Sequence, residues 1–166
     1  MQVAIDGITY VSHEDPVWRR DKNFMALVDL TPYDLDNTLE QLWLQELEED
    51  AGYEVCCIPF YVYGLALGDV VKKSHSDSVE SVISKSGRRV LRVLFAEPRP
   101  SKDSRFALRD AVEAAGLLSE WNGDHHVAVD VTETSEMQQV FDSVQEEISN
   151  QTAFWEWSDS KDFVSP

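Results

Sequence analysis

Two prolines within three residues, in Glu97-Pro98-Arg99-Pro100-Ser101, divide the chain into halves with different hydrophobic periods. Proline lacks an amide donor and pushes its predecessor out of helical geometry, so regular structure breaks there. Before the break, apolar residues come in short runs or alternate, as strands require. After it they recur every three or four positions, as helices require. A chain patterned in this way folds as α+β: a β-rich first half, barrel-like or a curved antiparallel sheet, then a β-α-β-α-β two-layer sandwich. The expected division is a β-rich lobe over 1–97 and an α/β lobe over 98–166. The second lobe completes a sheet with the strand at 89–96, so the two form one compact unit.

Within the first half, Val3-Ala4-Ile5 and Ile8-Thr9-Tyr10-Val11 flank Asp6-Gly7, a short-hairpin signal. Strands are expected at Phe24–Leu30, Tyr53–Ile58, Val70–Lys73, Ser78–Ser84 and Val90–Phe95. Residues 35–50 are ambiguous. Leu35, Leu39 and Leu42 keep helical spacing, yet Leu42, Leu44 and Glu46 also alternate against Trp43, Gln45 and Leu47. After the break, a helix is predicted over Ser104–Trp121 and a strand over His126–Val131. A second helix starts at a capping box from Ser135 to Gln138, and a closing strand covers Phe154–Trp157.

Between Tyr53 and Val71 lies the densest stretch, Cys56-Cys57-Ile58-Pro59-Phe60-Tyr61-Val62-Tyr63-Gly64-Leu65-Ala66-Leu67-Gly68-Asp69. Pro59 cannot donate to a strand ladder, Gly64 and Gly68 open backbone angles closed to other residues, and Asp69 can accept a nearby amide. The stretch therefore reads as a corner between two strands. Adjacent cysteines point to opposite faces, lack the Cys-x-x-Cys spacing of redox and zinc sites, and pack as small apolar side chains.

Three segments occur in order: Leu42-Trp43-Leu44, then Ile58-Pro59-Phe60-Tyr61-Val62-Tyr63-Gly64 leading to Leu67-Gly68-Asp69-Val70-Val71, then Ser86-Gly87 before Leu91-Arg92-Val93. That order resembles the bacterial family called domain of unknown function 4265, over about Phe24 to Ser158. The resemblance implies a β-rich first half and an α/β second half. It also implies an extended segment at Trp43, against the helix that propensity favours. It marks Pro59, Phe60, Gly68, Asp69, Gly87 and Arg92 as family-pattern positions and brings no catalytic set with it.

Charge bounds the partners. Against 14 Lys and Arg stand 31 Asp and Glu, a net −17. Such a field repels nucleic acid and anionic membranes and draws cationic partners, most simply a basic protein such as a toxin domain. The acids are clustered: nine carboxylates and no Lys or Arg from Asp29 to Glu54, and thirteen carboxylates against Lys161 from Asp110 onward. Glu46, Glu48, Glu49 and Asp50 are the candidate acidic binding face. No apolar run reaches the roughly 18 residues of a membrane span, and the first residues lack the pattern of a signal peptide. Two cysteines, both read as reduced, make the cytoplasm the expected address.

Candidate chemistry is sparse. His125-His126 has no third ligand spaced nearby, the acidic run lacks a calcium-loop glycine, and no phosphate-binding glycine loop is present. No metal or cofactor is expected. Arg92, inside an apolar strand, needs a carboxylate or carbonyl partner if buried, or else holds a ligand anion. Trp155 and Trp157 share one face of the last strand, as core or as interface anchors. The expected function is a non-enzymatic bacterial interaction protein, most concretely an immunity protein neutralising a cationic toxin domain. The alternatives are a small hydrolase or transferase using Arg92 and a cysteine, or a small-ligand or peptide-binding module around the aromatic segment.

Overall fold

A computed structural model describes residues 1–48, 51–96 and 104–165. The first half is built of seven strands: β1 (Gln2–Ile5), β2 (Ile8–Ser12), β3 (Phe24–Asp29), β4 (Thr38–Glu46), β5 (Tyr53–Val55), β6 (Val70–Lys73) and β7 (Val79–Ser84). The second holds β8 (Arg89–Phe95), α1 (Arg105–Ala114), β9 (Ser119–Asn122), β10 (His126–Val131), α2 (Gln138–Ser149) and β11 (Ala153–Trp157).

The ambiguous stretch folds as the nine-residue strand β4, which organises the first half. Glu40, Leu42 and Leu44 turn inward and are buried, while Gln41, Trp43 and Gln45 face the other way. Period two wins over local helix propensity because inward Leu42 and Leu44 join a core with Ala26, Val28 and Val55. β4 pairs with β3 along one edge and with β2 and then β5 along the other. Neighbouring pairs run on through β6 to β7, and a bridge from Leu27 to Ser78 joins β7 back to β3. The Leu27 N–H to Asp77 carbonyl bond, 2.7 Å, reinforces that closure. The ring β3-β4-β5-β6-β7 is a small barrel, with the β1–β2 hairpin attached outside it.

The second half is a four-stranded antiparallel sheet in the order β11-β8-β10-β9 with both helices on one face. Its chain order, β-α-β-β-α-β, contains one strand more than the sequence suggests. The helix expected to reach Trp121 ends at Ala114. Gly116, at φ +67°, turns the chain, and residues 119–122 pair with β10 instead. The expected capping box does not form. α2 begins at Gln138, and the Ser135 hydroxyl accepts the Thr132 N–H at 2.9 Å, closing a turn before the helix.

Leu91, Val93 and Phe95 of β8 pack under the helices with Leu108, Val112, Val140 and Val144. The other face, with Val90 and Ala128, packs on Val11, Ile58, Phe60, Ala66 and Leu67. The aromatic stretch after β5 therefore lies between the two lobes.

Candidate functional site

The stretch from Cys56 to Leu67 belongs to no strand, so its backbone polar groups need partners elsewhere. Buried charges supply them. The Glu40 carboxylate, carried inward by β4, accepts the N–H groups of Phe60 (2.6 Å), Tyr61 (2.8 Å) and Val62 (2.9 Å). Glu120, from β9, accepts those of Ile58 (2.9 Å) and Val17 (3.1 Å). Pro59 has no N–H to satisfy. On the acceptor side, Arg92 donates to the Tyr61 carbonyl at 3.3 Å and to the Val62 carbonyl.

His13 joins the two carboxylates. Its Nε2 bonds Glu40 at 3.1 Å and its Nδ1 bonds Glu120, and none of the three side chains is more than 4% exposed. Burial disfavours charge on the ring, yet the adjoining Cys57 thiol and the two carboxylates outweigh it and hold the His13 pKa well above the ordinary value. Burial likewise pushes Glu40 up, but the bond to His13, the charges of His13 and Arg92, and the Phe60 amide bring its carboxyl below the usual range. Both shifts favour a charged His13 ring beside an ionised Glu40. Phe60 stacks on the His13 ring at 4.3 Å and 7°.

Next to this cluster a cleft of about 300 Å³ opens between the lobes. Tyr61, Tyr63 and Phe60 line it from the aromatic stretch, Arg92, Leu94, His126, Phe154 and Glu156 from the sheet. Arg92 sits directly across from Glu156 in the β8–β11 register, and its Nη1 bonds that carboxylate at 3.1 Å. Glu156 also accepts the Tyr63 hydroxyl at 2.6 Å, and the guanidinium stacks 4.9 Å above the Tyr63 ring. Burial and the bond to Glu156 push the Tyr63 hydroxyl up to about 12.

Among the described residues, two nitrogens in this wall have no hydrogen-bond partner: Arg92 Nε and His126 Nδ1, each buried. Burial, with the Arg92 charge nearby, lowers the His126 pKa to about 3, so the ring is neutral at ordinary pH. Buried polar atoms without partners are costly and mark places where an outside group can bond.

Arg92 is therefore a structural ion pair and also part of a cleft wall. Of the other family-pattern positions, Phe60 lies between the His13 ring at 4.3 Å and the His126 ring at 5.8 Å. Asp69 accepts the N–H groups of Ala66 (3.0 Å) and Ser86 (2.7 Å), tying the corner to the turn before β8. Gly68 and Gly87 adopt φ of +78° and +81°, and Pro59 is buried in the joint. Glu46 and Glu48 are exposed and outside the cleft lining, while Glu49 and Asp50 lie outside the described residues. His126 is buried at the start of β10, and among the described residues no group of three His, Cys, Asp or Glu side chains is arranged to hold a metal ion.

Both thiols are buried, and burial raises Cys56 to about 11 and also raises Cys57. Cys57 does lie against a histidine, which spacing did not suggest. Both His13 nitrogens are already bonded to carboxylates, however, so the ring has no lone pair to take the thiol proton. The His13–Glu40–Glu120 cluster was missed as a group because its members are 27 and 107 positions apart. One signal for it was present: Glu40 stands two residues before Leu42 on the same strand face, an acid in an apolar row.

The family model described as "Domain of unknown function (DUF4265)" matches residues 40–157, from the buried Glu40 to the end of β11. No curated protein matches the chain. Among solved structures, a hypothetical protein from Neisseria gonorrhoeae is similar in fold, with a TM-score of 0.60 at 15% identity, over 85% of this chain and 96% of that one.

Proposed function

This chain belongs to the domain of unknown function 4265 (DUF4265) family, and from that premise we propose that it is a non-enzymatic bacterial interaction protein whose partner is a basic protein. The observation that carries this reading is the rim of the cleft. Leu94 and Phe154, cross-strand partners on one face of β8 and β11, are 41% and 53% exposed, and Trp155, the next residue of β11, is 44% exposed. Aromatic and aliphatic anchors at the mouth of a pocket are the anatomy of an interface centre. The net charge of −17 supplies the attraction for a cationic surface. An immunity protein that neutralises a cationic toxin domain is its most concrete form. A cytoplasmic address goes with it, since both cysteines are unpaired. The hydrolase alternative gains little, because neither buried thiol lines the cleft that holds Arg92.

The test is affinity purification of the tagged chain from its source cells at two salt concentrations, beside a Phe154→Ala, Trp155→Ala variant. A basic protein retained at low salt and lost with the variant supports the reading. Retention indifferent to both changes contradicts it.

A second reading is favoured by the two unpartnered nitrogens: the cleft takes a small planar ligand with hydrogen-bond acceptors, which would bond Arg92 Nε and His126 Nδ1. Benzoate titrated into the protein should shift the His126 and Tyr63 ring resonances. Unchanged rings at millimolar benzoate, and at millimolar indole-3-carboxylate, would count against it.

A further inference from the structure

The last strand carries an open edge. Among the described residues β11 pairs with β8 alone and forms the end of the four-stranded sheet. Register decides which backbone groups face outward. The Ala96 N–H donates to the Thr152 carbonyl (2.9 Å), so residues 152, 154 and 156 point toward β8. The Phe95 N–H, by contrast, turns to the His125 carbonyl on the other side (2.7 Å), which puts its partner Ala153 in the outward set. Ala153 itself is buried, so Trp155 and Trp157 are the residues that present their N–H and C=O groups to the free side. Sheets guard such edges with lysine, proline or a bulge, and Ala153-Phe154-Trp155-Glu156-Trp157 has none of these.

The two faces flanking that edge differ. On one, Phe154 pairs with Leu94 at the mouth of the cleft. On the other, Trp155 packs edge-on against Phe141 of α2 at 5.2 Å, with Gln145 and Ile148 beside it. Asp142 and Glu146 lie on the exposed side of α2, turned away from the buried row of Val140, Val144 and Glu147, and add to the field around the edge. From residue 110 to 160 the chain has twelve carboxylates and no Lys or Arg.

We propose that the outer edge of β11 accepts an extended segment of a basic partner protein as a fifth strand. The proposal rests on the interaction reading above and gives it a surface and a binding mode. Side chains on the added strand alternate between faces. Apolar ones enter the cleft beside Phe154, and lysine or arginine ones lie over Trp155. A second copy of this chain is the poorer occupant, because it brings −17 against −17.

The probe is an eight-residue peptide alternating lysine and valine, compared with its glutamate–valine counterpart and its fully N-methylated form. Hydrogen exchange followed by NMR should slow at least tenfold at the amides of Trp155 and Trp157 when the basic peptide binds. The acidic and N-methylated peptides should bind at least tenfold more weakly. Trp155→Pro removes an outward N–H at an edge that tolerates proline, and should weaken binding by a similar factor. Asp142→Lys with Glu146→Lys should weaken binding at low salt, through the field alone and without touching the strand. Equal affinity for the N-methylated or acidic peptide overturns the proposal. Binding that shifts only cleft residues overturns strand addition and leaves the interaction reading standing, whereas no binding at low salt strikes both. A dimer whose β11 amides are already protected without peptide places a second copy on the edge and overturns it too.

Discussion

Glu40 and Glu120 reach the same imidazole from opposite lobes, one on each nitrogen of His13. Their remaining acceptor capacity takes the N–H groups of five residues of the two connecting stretches, Val17, Ile58, Phe60, Tyr61 and Val62. Glu40→Gln removes the charge that His13 needs and turns an acceptor into a donor facing amides. Breaking one member of a buried pair typically costs about 3–5 kcal/mol. Urea unfolding followed by tryptophan fluorescence should show a loss of that order, and a cost below about 1 kcal/mol would mean the cluster is not charged.

Two histidines shape stability against pH in opposite directions. His126 has a lowered folded pKa of about 3 against an ordinary value of 6.5. Its contribution is therefore complete above 6.5 and lost as pH falls, by about 1.4 kcal/mol per unit for one proton. His13 has a raised folded pKa, so its contribution is complete below 6.5 and lost as pH rises through the folded value. The expected profile peaks near pH 6.5. His126→Phe should flatten the limb between about pH 6.5 and the onset of carboxylate titration while leaving the alkaline limb in place, as read from urea midpoints across pH.

Two glycines at positive φ should answer differently to alanine. Gly87, at φ +81°, has nothing near its missing Cβ, so Gly87→Ala should cost only the left-handed backbone penalty, about 1–2 kcal/mol. At Gly64, φ +67°, the added carbon would collide with the backbone of Asp162 and Phe163. Gly64→Ala should cost clearly more and release the tail, whose Val164 N–H bonds the Tyr33 hydroxyl at 3.0 Å. Thermal melts of the two variants side by side make the comparison.

Neither thiol should react in the folded protein. Cys56 is held at about 11 and both side chains are buried. Ellman's reagent should therefore label both cysteines only after denaturant is added. Rapid labelling of one thiol at neutral pH would reopen a nucleophilic role.

How far the sequence could be read depended on the range of the cause. The Asp6-Gly7 hairpin, the strand at β8 and the two amphipathic helices follow from neighbours within one or two turns of chain. β9 was lost because Gly116 and the pairing of Ser119–Asn122 with β10 are tertiary facts that override a helical apolar pattern. β4 was ambiguous for the same reason, since inward and outward faces exist only once β3 and β5 lie beside it. The corner at Pro59, Gly64 and Gly68 was legible from its residue types, and so was the need of Arg92 for a partner. What bonds Arg92, and what meets at His13, was not: Glu156 is set beside Arg92 by the β8–β11 register, and Glu120 reaches His13 through the packing of one lobe on the other.

The aromatic stretch owns no ladder of hydrogen bonds; its amides are answered by Glu40 from the barrel and Glu120 from the sheet, and its carbonyls by Arg92. Pulling the lobes apart would leave charges and peptide groups stripped of partners at the same moment. Loosening one half strips partners from the other, so the chain is expected to unfold as a single cooperative unit despite its two patterns of sequence. Heat or urea should meet one barrier and one transition, and the joint that holds no secondary structure is what makes them one.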